Sequence, residues 1–458
     1  MRLSASELAA LVGGLVVGDP DAAASTFAID SRVLVPGACF VALRGERDGH
    51  DFAGDAFARG ARVALVSRAL PHPAGTALVV VDDPLVALGR LAAHVRRGWA
   101  GVTVVGITGS AGKTSTKDLA AAVVGAARTV HARPGSFNNE AGLPLTLLGA
   151  PPAVEVVVTE MGARFRGDIA GLCAIAAPHV GVVTHIGLAH AEHLGGPSGI
   201  LATKRELVEA LPASGTAVLN ADEDTTPDLA RGARASVVSV GTSPAADVRI
   251  VDLTVDAALR PAFTLETPWG SGDVHLSVRG SQQAMNAAMA AAVALAVDVP
   301  LADALAGLAA ASPAEWRMEL TASPGGIVVL NDAYNASPSS MRAALRGLGG
   351  LPATGRRVAV LGDMLELGSH AEAEHADLGR LAAEVGVDLV VAVGPASAVT
   401  ATHAARAGIV ALAAADRDEA QALVGAHVRP GDAVLVKASR AVGLETVAEA
   451  LIRGDHDR

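Results

Sequence analysis

Aromatic residues make up only 2% of this 458-residue chain, with a single Tyr, so its cores must be aliphatic. Positive charge is also scarce: 36 Lys and Arg stand against 47 Asp and Glu, a formal net charge of −11. That balance excludes a global field suited to a nucleic-acid backbone and leaves any phosphate binding to local groups. There are two Cys, Cys39 and Cys173, far apart in apolar surroundings, which read as reduced core residues rather than a disulfide. No run approaches the roughly 18 uninterrupted apolar residues of a membrane span. The start, "MRLSASELAALVGG", has no basic segment followed by a long apolar one. No membrane insertion and a cytoplasmic location are therefore expected.

What is present is a globular composition, 51% hydrophobic and 18% charged, with 50 Gly and 23 Pro marking turns. At about 150 residues per domain the length suggests three. Residues 1–100 mix short apolar runs ("ARVALV", "ALVVVDD") with turns, as in a small α/β unit. From 101, "VTVVGIT", "VEVVVTE", "HVGVVTH" and "TAVLNAD" are continuous apolar runs that alternate with helical patterns, the mark of parallel strands buried on both faces. "DVRIVDLTV", "AFTLETP" and "DVHLSV" alternate instead and predict an antiparallel edge or subsheet before an Ala-rich helix over 282–298. A second strand–helix series ("GIVVLNDAY", "RRVAVLG", "DLVVAV", "DAVLVKAS") predicts a doubly wound sheet over 315–458. The expected architecture is α/β throughout: a small N-terminal domain (1–100), a central P-loop-type parallel-sheet domain (101–314) and a Rossmann-like C-terminal domain (315–458).

The most informative stretch is "VVGITGSAGKTSTKDLAAAV" at 104–123. A glycine turn between strand and helix lets backbone N–H groups reach phosphate oxygens, and the helix N-terminus adds partial positive charge. Lys113 supplies a point charge and the Thr114 hydroxyl a Mg²⁺ ligand. The bland alternative is an ordinary turn with a solvated Lys113. A strict G-x-x-x-x-G-K-[ST] pattern needs Gly at 107, where Ile107 stands. Glu160 closes "VEVVVTEMG" and should emerge at the carboxyl edge of the same sheet, where ligands bind. His185, His190 and His193 lie close together, but without thiolates they read as loop histidines rather than a zinc site. Lys204 falls in a helical pattern and reads by default as a solvated surface lysine.

"TGSAGKT", "SFNNEAGLPLTLL", "TEMG", "HAEHLGGPSGILATKREL", "NDAYNASPSSMRAAL", "VLGDMLELG" and "VLVKASR" resemble the Mur ligase family in order and spacing, over nearly the whole chain. Its loop is T-G-x-x-G-K-[ST], so the missing glycine is expected there. "DAYNASP" followed by "LGDMLELG", with no D-N-P-R motif, points to the member that adds a dipeptide. The resemblance implies an ATP-dependent ligase that joins D-alanyl-D-alanine to UDP-N-acetylmuramoyl-tripeptide through an acyl phosphate. Another acceptor within the family, a P-loop kinase or ATPase, and a non-catalytic UDP-sugar module stay open as alternatives.

By the same resemblance Lys113, His190 and Lys204 are catalytic. Gly109, Ser110, Ala111, Gly112, Lys113, Thr114, Ser115, Asn138, Asn139, Asn286, Arg317, Asp332, Tyr334 and Asn335 would hold ATP. Thr114, Glu160, His190 and a carbamylated Lys204 would hold Mg²⁺. Ser31, Arg32, Gly45, Asp48, Gly49 and His50 would hold the UDP-sugar peptide, with only small molecules as partners and a monomer expected. Gln282, Gln283 and Ser337 depart from the family pattern.

Overall fold

The computed structural model describes residues 2–313 and 315–454; the boundary drawn at 314 falls on a residue outside that set. Among the described residues the major strands gather into sheets of five, nine and six. The chain folds into three α/β domains, each built around one of them. In the first, the parallel strands Thr26–Ala28, Ala38–Val41, Val63–Val66 and Ala77–Val80 are flanked by Leu15–Gly18, which runs antiparallel. Helix Pro84–Arg97, capped by the Asp83 carboxylate, closes this unit and reaches the large cavity described below.

In the central sheet, strand Thr103–Thr108 lies between Val156–Glu160 and Val180–Val183, all parallel. Valine-rich runs of this kind suit a strand covered on both faces, and the core they form with the Ala-rich helix Gln282–Ala296 is aliphatic. Parallel pairing extends further than the alternating pattern suggests: Val248–Val255 still pairs parallel with Ser236–Gly241. Only the next two strands, Pro261–Thr267 and Gly270–His275, run antiparallel as an edge extension. The alternation arises because the exposed edge is covered on one face only.

The C-terminal sheet has the parallel order Val328–Asn331, Ala433–Lys437, Arg357–Gly362, Leu389–Val393, Val410–Ala414, with Glu319–Ala322 antiparallel at one edge. Strand Ala433–Lys437 lies between earlier strands, so its carboxyl end opens beside that of Val328–Asn331, which places Lys437 next to Asp332. Both cysteines are buried and free, and burial pushes each thiol up to about 12. No helix among the described residues is long and apolar enough to cross a membrane.

Candidate active site

Ile107 belongs to the strand. It is fully buried and pairs with Glu160 on one side and Val182 on the other. Glycine there would delete a core side chain at a cost of about 2–5 kcal/mol. The loop's two glycines are needed for different reasons. Gly109 has φ 146°, and a Cβ there would lie 2.0 Å from Thr184 Oγ1. Gly112 caps helix Lys113–Gly125 at φ 83°, and a Cβ there would lie 2.6 Å from Asn286 Oδ1. Ser110 N donates to His185 O at 2.7 Å, Ser110 Oγ to Gly187 O at 2.6 Å, and Thr184 Oγ1 to Ala111 O at 2.6 Å. The neighbouring strand end thus fixes the loop before any ligand arrives.

Lys113 Nζ donates back to Gly109 O at 2.8 Å, and burial pulls its pKa below the ordinary lysine value. Behind it, Glu160 is 3% exposed and accepts from Thr114 Oγ1 at 2.7 Å, Ser136 Oγ at 2.9 Å and Asn138 Nδ2 at 2.7 Å. A carboxylate, two hydroxyls and an amide are hard oxygen donors of the kind Mg²⁺ prefers. Asn139 also lines the cavity, and its Oδ1 accepts from Gly142 N at 2.9 Å to start the next helix. Asn286 turns its amide to Thr116 and Gln283, which leaves it bracing the loop from behind.

The structure corrects the default reading of Lys204. It is 2% exposed, because helix Gly196–Ala210 turns Ile200, Thr203, Lys204, Leu207 and Val208 inward. Among the described residues its ammonium forms no hydrogen bond, and burial with the nearby Lys113 charge brings its pKa down to about 7. The three histidines go to separate partners: His185 to Glu223, His190 to Glu366, and His193 against the Phe165 ring at 5.5 Å.

The opposite wall comes from the C-terminal domain. Asp332 Oδ2 accepts from Lys437 Nζ at 2.6 Å, and its Oδ1 accepts from Met318 N at 3.0 Å. Lys437 also donates to Asn335 O at 2.8 Å. The Arg317 guanidinium lies over the Tyr334 ring at 4.1 Å, and Arg440 lies over Trp316 at 4.7 Å. These walls, the loop and helix Pro84–Arg97 enclose one cavity of about 1440 Å³.

Family models match in three consecutive pieces: "Mur ligase family, catalytic domain" over 25–96, "Mur ligase middle domain" over 107–294, and "Mur ligase, glutamate ligase domain" over 316–440. The chain belongs to the Mur ligase family. It is 41% identical to the UDP-N-acetylmuramoyl-tripeptide–D-alanyl-D-alanine ligase of Mycobacterium bovis, covering 99% of this chain and 98% of that one. It is 34% identical to the enzyme of that name from Escherichia coli, over 98% of each. A crystal structure of MurF from Acinetobacter baumannii superposes with TM-score 0.87 at 32% identity and 99% coverage of both chains.

Not every residue drawn from the Mur ligase resemblance reaches the cavity. Among the described residues the N-terminal set stays outside it. Arg32 is tied to its neighbour Asp30 at 2.7 Å. His50 is buried between Asp48 at 2.6 Å and Ser67 N at 2.9 Å, and Asp48 also takes Arg68 at 2.9 Å. Ser31 is buried, and Gly45 and Gly49 shape the same loop. Two departures from the family pattern have local explanations. Ser337 caps helix Pro338–Gly350 in a box with Ser340, and Gln283 Oε1 accepts from Asn286 Nδ2 at 2.9 Å. Gln282 lines the cavity with its buried Oε1 unpartnered. Residue-by-residue reading passed over Glu366, Lys437 and Ser136. Lys437 did leave a signal, a charge closing a wholly apolar strand.

Proposed function

We propose that this chain is an ATP-dependent ligase that joins D-alanyl-D-alanine to UDP-N-acetylmuramoyl-tripeptide, giving UDP-N-acetylmuramoyl-pentapeptide, ADP and phosphate for peptidoglycan precursor synthesis. One observation carries the reading: a single cavity has the phosphate loop and Glu160 on one wall and the Asp332–Lys437 pair on the other. Residues 101–314 would bind the ATP phosphates, 315–458 would close on the nucleotide and take the dipeptide, and 1–100 would hold the UDP-sugar peptide. A monomer acting on small molecules fits this reading, and buried free thiols suit the reducing cytoplasm.

In this reading the loop amides, the helix N-terminus and Lys113 offset charge on the phosphoryl group as it passes to the peptide carboxylate. The dipeptide amine then attacks the acyl carbon, and phosphate departs as the amide forms. Thr114 and Glu160 would hold Mg²⁺, with His190 facing a second ion. Bound Mg²⁺ supplies Lewis-acid charge toward phosphate oxygens. Asp332 would accept from the ribose hydroxyls, and Arg317 with Tyr334 and Asn335 would close over the nucleotide. A closed cavity keeps the acyl phosphate from water.

Lys204 would be carbamylated, which replaces an unpaired buried cation beside Lys113 with an anionic oxygen ligand. Protein equilibrated with ¹³C-bicarbonate should show one carbamate carbon signal that Lys204→Ala lacks; a signal unchanged in the variant would remove the assignment. Short-chain carboxylic acids should restore part of that variant's activity.

The functional test is mass spectrometry of products with ADP release. Pentapeptide should form, and ADP should appear, only when both the tripeptide and the dipeptide are present. ADP release independent of the acceptors would favour a P-loop kinase or ATPase instead. Product formed only with a different amine would favour another acceptor within the family.

A further inference from the structure

The cavity's two walls meet at one polar contact that the chemistry above does not use. Glu366 lies in the loop after strand Arg357–Gly362 of the C-terminal domain. Its carboxylate receives His190 Nδ1 from the central domain and lies 3.5 Å from Arg164 Nη2, also central. The backbone joins the same contact: Glu192 N donates to Glu366 O at 3.2 Å. Gly368 sits so close that a Cβ there would come within 3.2 Å of Glu192 Cα. Both partners hold left-handed backbone without being glycine, His190 at φ 57° and Glu366 at φ 62°. Such conformations cost about 1–3 kcal/mol each and persist where surrounding contacts over-determine them. With Nδ1 taken, Nε2 is the ring atom of His190 left for a ligand in the cavity, which both residues line.

We propose that Glu366 is a positioning residue that makes the His190 side of the reaction site complete only when the C-terminal domain is docked. The undocked protein lacks the carboxylate that orients His190 and neutralises Arg164, so binding and closure assemble the site together. This rests on the ligase reading, but it fails separately from it.

The test places one donor and one acceptor dye on the full-length protein at exposed positions, Arg231→Cys in the central domain and Arg406→Cys in the C-terminal one. The native thiols are buried and stay unlabelled. Adding a non-hydrolysable ATP analogue and UDP-muramoyl-tripeptide should raise the closed, high-transfer population of the parent. With Glu366→Ala that population should fall, and kcat should drop by roughly 5–150-fold, the range typical of coupling between sites. Affinity for UDP-muramoyl-tripeptide measured without nucleotide, before closure, should change less than twofold. Arg164 is 69% exposed, so Arg164→Ala should fold normally and shift closure the same way by less. Glu366→Asp should recover part of the closed population. Closure equal to the parent in both Glu366→Ala and Arg164→Ala would overturn the latch while pentapeptide formation stood. Loss of tripeptide binding in Glu366→Ala would also overturn it, because that marks a structural role in the fold. A parent that makes no pentapeptide would instead overturn the ligase reading.

Discussion

The two walls of the cavity hold their charges in different ways. On the central wall, Glu160 is buried under three side-chain donors, and the loop beside it is pinned by Thr184 and by the backbone at His185 and Gly187. Glu160 sits at the end of a parallel strand and Lys113 and Thr114 at the start of a helix, so their positions follow from the sheet. On the C-terminal wall the Asp332–Lys437 pair is held that way. The arginines there rest on aromatic faces, and Arg317 is flanked by Trp316 and Met318, both at positive φ. The contrast divides the work: the rigid wall is prepared for charge that develops during reaction, while the looser wall adapts to what is bound. If that division is right, damage to the first should appear in kcat and damage to the second in KM, except at Glu366, which acts on the central wall through His190.

The harshest test is on the central wall. Lys113→Ala should lower kcat by at least about 10²–10³-fold, the effect of losing one preorganised electrostatic donor. KM for both peptide substrates should hardly change. Steady-state kinetics under saturating ATP checks this, and a loss confined to KM would place Lys113 in binding rather than chemistry.

The next test asks whether the C-terminal wall has one rigid element. Lys437→Ala leaves Asp332 with its charge and no cation in a largely buried site, since the lysine side chain is 3% exposed and the aspartate 13%. Breaking a buried pair from one side costs about 3–5 kcal/mol, so chemical denaturation should show a large loss of stability. Lys437→Ala combined with Asp332→Ala should recover part of it. An unchanged midpoint in the single variant would mean the pair is solvated, and the contrast between the walls would then widen.

The same contrast explains what could be read before folding. Gly109, Gly112, Lys113 and Thr114 lie on one strand–turn–helix, and Glu160 closes an apolar run, so local pattern alone sends them to the carboxyl edge of a sheet. The three-domain α/β plan was legible for the same reason, since most of the parallel strands are apolar runs rich in Val, Ile, Leu and Ala. Lys204 was misplaced because its burial depends on how helix Gly196–Ala210 packs, which its own periodicity does not state. Glu366 was passed over because its partners, Arg164 and His190, are some 200 and 176 positions away in a different domain. Gln283 and Ser337 looked like defects against the family pattern and turn out to serve the chain locally.

The mildest test lies on the looser wall itself. Arg317 is partly exposed, and its guanidinium stacks on Tyr334 with no carboxylate partner among the described residues. A cation–π contact at such a site contributes about 0.5–1 kcal/mol, so Arg317→Ala should leave the melting temperature nearly unchanged. If the side chain swings from the ring to the nucleotide, its loss should raise KM for ATP by roughly 10-fold, near the 1.4 kcal/mol of one charge-assisted hydrogen bond. It should leave kcat within a few-fold. Arg317→Lys should recover little, because a point charge neither stacks flat on Tyr334 nor presents a two-pronged donor. Equal losses in kcat and kcat/KM would instead place Arg317 with Lys113 as a group acting in the reaction itself, and the two walls would no longer divide between holding and reacting.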